Sequence, residues 1–576
     1  MRSTNLFLSL LPFIRLAMAQ NTWSFVQQGN SGIIPLELIT LSPTLALMYD
    51  RPYVNPLKLP DGEPAWAGLW HLDTNTATPL RTITNTFCAS GGFISNGTHV
   101  AVGGQPLDAI PGWGNATDGT MGIRLFGPCT SADGTGPGCT VFEDPATLHL
   151  VRTRWYPTAL RIADGSLFII GGSDILTTFN APDIAQNNYE FFPPRAGEAG
   201  TVRDSKFLND TLPANLFPRS MMLPSGNILM IANNQSVIYD IETNTELLRL
   251  PELPNGVRIG VPFDGFAQLL PLSPPLYEPT VIACGGSNKP DTITLEEMSV
   301  NDVATTQCQR ITLTAAGVAA GWEVDHLPEP RVMAETVILP SGDVYILNGA
   351  HTGYSGYPSV GDSGATGTNA ANPATQGIMY KSTLPLGQRI TQSGIPTSPI
   401  PRMYHSAATL TAKGNIMVAA SNPHPFVLDA DNNPNNLSFP SEYRVEYLSP
   451  DFITNNSPRP VISKSPTQLA FNAQGTITVT IPASLAAGEL QVSLMDMGFV
   501  THGWHAGSRL VFLENTLSGT TLTITAPPNG NIYPPGPAWI YVVADGVWSE
   551  GVQIMIGDGG NPPRPAQGVP VTITSL

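Results

Sequence analysis

Residues 154–172 read RWYPTALRIADGSLFIIGG: a strand, an Asp-Gly turn, and a second strand that stops on paired glycines. Asp and Gly at a tight turn between two strand-like runs are the mark of a β-hairpin. The same unit returns at Pro330-Arg331-Val332-Met333…Pro340-Ser341-Gly342 and at Pro401-Arg402-Met403-Tyr404…Lys413-Gly414. Its second strand, ending in small residues, recurs at His99–Gly104, Ser166–Gly172, Asn227–Asn233, Thr280–Gly286, Asp343–Ala350 and Asn415–Ser421, with an earlier, weaker copy at Thr44–Asp50. Helical periodicity is almost absent.

These seven runs lie roughly fifty to seventy residues apart, near the kelch period of about fifty with loop insertions. A four-stranded unit cannot cover both of its faces alone, so such units stack radially and close on themselves. After about residue 445 the composition shifts. Short alternating strands at Thr476–Ile481, Leu490–Leu494, Arg509–Leu513, Thr521–Ile524 and Ala538–Ala544 suggest a sandwich of immunoglobulin type. The predicted fold class is therefore all-β: a seven-bladed kelch-type β-propeller over residues 20–454, then an immunoglobulin-like β-sandwich over 455–576. Residues 353–377, rich in Gly, Ser, Thr and Ala, are expected to form a long surface loop or a lid.

The repeat phase singles out three side chains. Cys88 lies nine residues before Gly97 and fifteen before Gly103; Tyr156 lies nine before Gly165 and fifteen before Gly171. His405 lies nine before Gly414 and fifteen before Ala420. A thiol, a phenol and an imidazole thus share one place in three copies of the unit. Units set around an axis bring them together, which is how a repeat fold builds a metal site.

Met1-Arg2, an apolar run from Leu6 to Leu16, and Ala17-Met18-Ala19 before Gln20 have the pattern of a cleaved secretory signal over residues 1–19. The run is too short and interrupted for a bilayer span. Sequons at Asn96, Asn115, Asn209, Asn234, Asn436 and Asn455 agree with an extracellular glycoprotein. In that compartment cysteines pair. Cys129 and Cys139 flank a short Gly-rich loop, and Cys284 with Cys308 is the second expected pair; Cys88 is left over. The ordinary reading of a spare cysteine is a buried, inert thiol, and only the phase match with Tyr156 argues against it. The formal charge of −17 speaks against nucleic acid or an anionic membrane as a partner.

Phe87-Cys88 before a glycine-rich hairpin, Arg154-Trp155-Tyr156, Tyr404-His405-Ser406 and the late Thr501-His502 together resemble the copper radical oxidases. Asn187-Asn188-Tyr189-Glu190-Phe191-Phe192-Pro193 and the four pairing cysteines are similar to the glyoxal oxidase branch rather than to galactose oxidase. The resemblance implies one copper ion held by Tyr156, Tyr404, His405 and His502. It also implies a thioether bond joining Cys88 to Tyr156, a protein-derived radical cofactor. Imidazole and phenolate ligands suit Cu(II). His505 is the rival of His502, and the position after Val500-Thr501 favours His502. That choice requires the second domain to reach into the first. For Tyr404 and His405 both to bind one metal, the backbone there must be irregular, because adjacent strand residues face opposite ways.

The resemblance further implies a reaction. Tyr404 accepts the proton of a substrate hydroxyl, the Tyr156 radical takes hydrogen from the adjacent carbon, and dioxygen reoxidises the site to give hydrogen peroxide. A hydrated small aldehyde of the glyoxal or methylglyoxal type then leaves as a carboxylic acid. A primary-alcohol oxidase of the same family, and a non-catalytic kelch scaffold or glycan-binding module, are the alternatives. The implied partners are a small aldehyde or alcohol, O2, and extracellular peroxidases that consume H2O2, with the enzyme a monomer. Galactose oxidase stacks a tryptophan over the cross-linked ring, in a stretch whose counterpart here is Gly171-Gly172-Ser173-Asp174. Asp174 cannot serve as that shield, which leaves Trp155 and Trp504 as candidates for a supporting or an ordinary packing role.

Overall fold

Each of the seven recurring runs is the second strand of a four-stranded antiparallel run. The computed structural model describes residues 22–107, 115–427 and 437–571; the expected leader over 1–19 and the sequon at Asn436 lie outside them. In the stretch that opened the sequence reading, Thr158 pairs with Ile170 and Arg161 with Leu167, so Asp164-Gly165 is the hairpin turn. The first strands of the seven units are Glu37–Thr40, Ser90–Phe93, Thr158–Arg161, Arg219–Met222, Phe266–Leu269, Glu335–Ile338 and Ser406–Leu410, every residue of them buried. From the second unit onward each touches the next, and the last touches the first. The last unit is completed by Trp23–Asn30, which pairs with Arg444–Pro450. The two ends of the repeat region thus close one ring.

Buried arginines staple the units. Arg154 donates to the Gly171 carbonyl at 2.8 Å and to Glu190 at 2.9 Å. Arg331 donates to the Asn348 carbonyl at 3.1 Å, and Arg402 to the Ala420 carbonyl at 2.7 Å and to Glu446 at 3.0 Å. Each guanidinium ties the start of a first strand to the end of the second, satisfying carbonyls where the ladder stops.

Beyond Asp451 two sheets enclose a separate core that includes Ile477, Val479, Leu494, Leu522, Ile524 and Ile540. The strand Gly536–Ala544 is buried at all nine positions, and its period of two explains why. Ala538, Ile540 and Val542 enter the sandwich core, while Trp539, Tyr541 and Val543 enter the core shared with the ring. From the sandwich a hairpin, Phe499–Thr501 and Trp504–Ala506, leaves its own sheets and extends the first unit, with Thr501 opposite Glu37 and Val500 opposite Leu38. It touches the first strands of six of the seven units, and stands between the first and second. The hairpin occupies the middle of the ring.

The surface loop expected over residues 353–377 is instead largely ordered: Ala350–Gly353 pairs with Ala370–Pro373 and a short helix covers Ser363–Thr366. Tyr354, Ser355, Thr368 and Asn369 are buried there, so the small residues serve close packing. Cys129–Cys139 and Cys284–Cys308 are disulfides, and Cys88 is free and buried. Among the described residues no helix is long and apolar enough to cross a membrane.

Candidate metal centre

One backbone device aims side chains at the ring's centre. In six units the residue one or two positions before the first strand has a positive φ: Cys88 (64°), Tyr156 (62°), Phe217 (45°), Asp264 (43°), Met333 (58°) and His405 (64°). Left-handed non-glycine residues are uncommon and cluster where the fold needs a special direction. The Ala89 N–H donates to the Thr86 carbonyl at 3.0 Å and the Ser406 N–H to the Met403 carbonyl at 3.1 Å. Cys88 and His405 are therefore the left-handed third residues of equivalent turns. Tyr404 lies in that same turn and not on the strand, which supplies the irregular backbone its pairing with His405 demands. In the axial hairpin His502 (49°) and Gly503 (65°) form a two-residue turn with both φ positive, the form that matches strand twist.

The five residues singled out from sequence meet. The Tyr156 and Tyr404 hydroxyls hydrogen-bond directly. Cys88 Sγ stands 3.3 Å from His502 Nε2. The His405 and His502 rings are perpendicular with centroids 4.6 Å apart, and the Tyr156 ring is 4.7 Å from that of His502. One donor atom each from Cys88, His405 and His502 lies within 4.8 Å of the others. All five residues are at most 4% exposed.

Hydrogen bonds set the tautomers. His405 Nδ1–H donates to the Asn422 carbonyl at 2.9 Å, which leaves Nε2 as a bare lone pair, buried without a partner. His502 Nδ1 is bonded to Thr501 Oγ1 at 2.5 Å, leaving Nε2 to face Cys88. Burial pushes His405 down to about 3, and burial, His405 and Arg219 push His502 well below the ordinary histidine range. Both imidazoles are therefore neutral, as metal ligands must be. Burial likewise holds the Tyr404 phenol and the Cys88 thiol well above their ordinary values; a bound cation reverses that order. An orphaned imidazole nitrogen, a second imidazole and two phenols around one point fit Cu(II).

His505 does not join the cluster. It lines a small cavity with Arg161, Asp496 and Trp504. Asp174 binds Thr153 and Gln186. Trp155 packs on the Tyr156 ring with centroids 3.9 Å apart, whereas Trp504 lies under Arg219, whose guanidinium carbon is 5.6 Å from its ring. Sequence reasoning missed Phe217, whose ring is 4.4 Å from Tyr156. The signal was present: Phe217 lies nine residues before Gly226 and fifteen before Ala232, in phase with Cys88 and Tyr156. It also missed Tyr357, half-buried, whose ring meets those of Tyr404 and His405 at 5.8 and 5.4 Å. The Tyr357 hydroxyl is 3.2 Å from that of Tyr53.

Residues 64–452 match the glyoxal oxidase N-terminus family, and residues 459–556 the galactose oxidase-like, early set domain. The aldehyde oxidase GLOX of Vitis pseudoreticulata is 31% identical over 561 residues, covering 93% of this chain and 97% of that protein. The aldehyde oxidase GLOX1 of Arabidopsis thaliana is 30% identical over 564 residues, covering 92% and 83%. The fold is similar to that of a fungal alcohol oxidase of the AA5 family solved in complex with copper, at a TM-score of 0.67 and 16% identity over 93% of this chain and 100% of that one. With nearly the whole described chain matched and the ring, the sandwich and the buried donor cluster all in place, this chain belongs to the glyoxal oxidase family.

Proposed function

We propose that the chain is a secreted copper radical oxidase that converts small hydrated aldehydes to carboxylic acids with release of H2O2. The overall balance is RCH(OH)2 + O2 → RCOOH + H2O2. The observation that carries this reading is the bare, buried Nε2 of His405 beside His502, Cys88 and the two touching phenols. Tyr156, Tyr404, His405 and His502 would hold one copper ion, which supplies a redox centre between substrate and dioxygen. Cys88, free and buried in a chain whose other four cysteines are paired, is the sulfur that would join Tyr156 in a thioether. A sulfur substituent on the ring eases its one-electron oxidation.

The residues then divide the work. Tyr404 Oη accepts the proton of the substrate hydroxyl, and the oxidised Tyr156 takes hydrogen from the adjacent carbon. His405 and His502 are kept neutral and aimed by Asn422 and Thr501. Phe87 packs against His405 and Tyr357, and Tyr53 bonds the Tyr357 hydroxyl, an aromatic wall beside the site that would suit small substrates. Secretion rests on the leader-like residues 1–19 and on the exposed sequons Asn115, Asn209 and Asn455. We place the domain boundary near residue 454.

The assay that tests the substrate class compares peroxide release from methylglyoxal and glyoxal with that from primary alcohols in copper-loaded protein. The expected result is at least tenfold higher kcat/KM for the aldehydes. A reversed order would make the chain an alcohol oxidase of the same family.

A further inference from the structure

Two buried carboxyl groups stand at matching places in the ring with no catalytic duty. Glu37 opens the first strand of the first unit and Glu335 that of the sixth; they are 0% and 1% exposed. A fully buried carboxyl is costly unless it makes a specific contact, and each of these makes one. Glu37 Oε1 accepts the Ala89 N–H at 3.1 Å, immediately after Cys88. Glu335 Oε1 accepts the Gly503 N–H at 3.2 Å, immediately after His502. The second oxygen of each carboxyl is buried without a partner.

The two contacts are alike in a further way. Both N–H groups follow a residue held at positive φ, 64° at Cys88 and 49° at His502. A two-residue hairpin turn leaves the N–H of its second residue pointing away from the ladder, so Gly503 needs an outside acceptor. Gly503 also rests directly on the first-strand side of the sixth unit, where an added Cβ would meet the Ala334 carbonyl at 3.1 Å. Glu37 is in addition the cross-strand neighbour of Thr501, the residue that orients His502. The two turns so gripped carry the pair that stands 3.3 Å apart, Cys88 Sγ and His502 Nε2.

We propose that Glu37 and Glu335 are positioning residues of the metal centre, clamping the Cys88 and His502 turns against each other across the ring. Cys88 belongs to the ring and His502 to the inserted hairpin, so nothing in the local chain fixes their distance. Ladder pairing to the first unit holds one edge of the hairpin, and the two carboxyls grip the turns themselves. This inference rests on the copper reading above, but part of its test does not.

The test uses the full chain with Glu335→Gln and Glu37→Gln, which keep an acceptor oxygen, and with Glu335→Met and Glu37→Met, which keep volume and lose it. Amide exchange of the 499–506 and 86–93 segments is measured without copper. The Cu(II) EPR spectrum and the rate at which a two-hydrogen mass deficit appears are measured with it. The Met variants are expected to speed exchange in the turns at least tenfold, to alter the copper hyperfine pattern and to slow cross-linking at least tenfold. The Gln variants are expected to restore all three. Where a Met variant does not fold, Glu335→Asp and Glu37→Asp, which withdraw the acceptor by one methylene, are expected to move the same readouts in the same direction. Folded Met variants with wild-type exchange, spectrum and rate would overturn the clamp, as would Gln variants no better than Met. If wild-type protein takes up no copper, the copper reading fails and amide exchange alone decides the clamp.

Discussion

His405 shows how one ring is prepared for a metal. The Asn422 carbonyl accepts a hydrogen bond from Nδ1–H, and burial keeps the ring neutral far below its ordinary range. On the proposed assignment, replacing His405 or His502 by Ala would remove a copper ligand, so copper affinity should fall at least a hundredfold, given that supporting residues alone are worth 10–100-fold. Competitive chelator titration checks this; stoichiometric, tight copper in His405→Ala would contradict the assignment. His99 is a histidine of the other kind. It is fully buried, with ring centroids 5.3 and 5.7 Å from Phe93 and Phe499, and burial pushes it down to about 3. Its folded pKa lies below its unfolded value, so the stability it contributes is present above about pH 6.5 and is lost as pH falls toward 3. At pH 4 that loss is about 3 kcal/mol. His99→Phe should narrow the difference in unfolding free energy between pH 7 and pH 4 by that amount in urea titrations of metal-free protein. An unchanged difference would contradict the burial argument.

At the scale of elements, the repeated hairpin was legible because turn residues and small strand ends recur in fixed phase, and the structure gathers Cys88, Tyr156 and His405, which share that phase, around His502. Phe217 shares the phase, but a phenyl ring carries no ligand chemistry to mark it in the sequence. The arginines at 154, 331 and 402 were visible as a repeat, yet their stapling role depends on carbonyls fifteen or more residues away. Arg402 forms a fully buried pair with Glu446. Arg402→Met leaves that carboxylate without its partner, and the expected cost is about 3–5 kcal/mol, read as a shift in urea midpoint at constant m. A loss under about 1 kcal/mol would show that the pair is not needed to close the last unit. The axial hairpin was the least legible element. His502 and His505 lie three residues apart in one short hairpin, one in its turn and one on its second strand, and only insertion into the ring decides which of them meets Cys88. Glu37 and Glu335 were invisible for the same reason, since their partners come from distant segments.

At the scale of the whole molecule, the sandwich is more than a second domain. One face of its central strand packs into the ring's core, and its hairpin brings His502 to residues delivered by the second, third and last units. The proposed centre therefore draws its residues from both the ring and the sandwich. The measurement that tests it most directly is intact mass and peptide mapping of the aerobic, copper-loaded protein beside its Cys88→Ser variant. A two-hydrogen deficit confined to the peptides of Cys88 and Tyr156, absent from the variant, is the predicted result. A free Cys88 thiol in fully copper-loaded aerobic protein would contradict it.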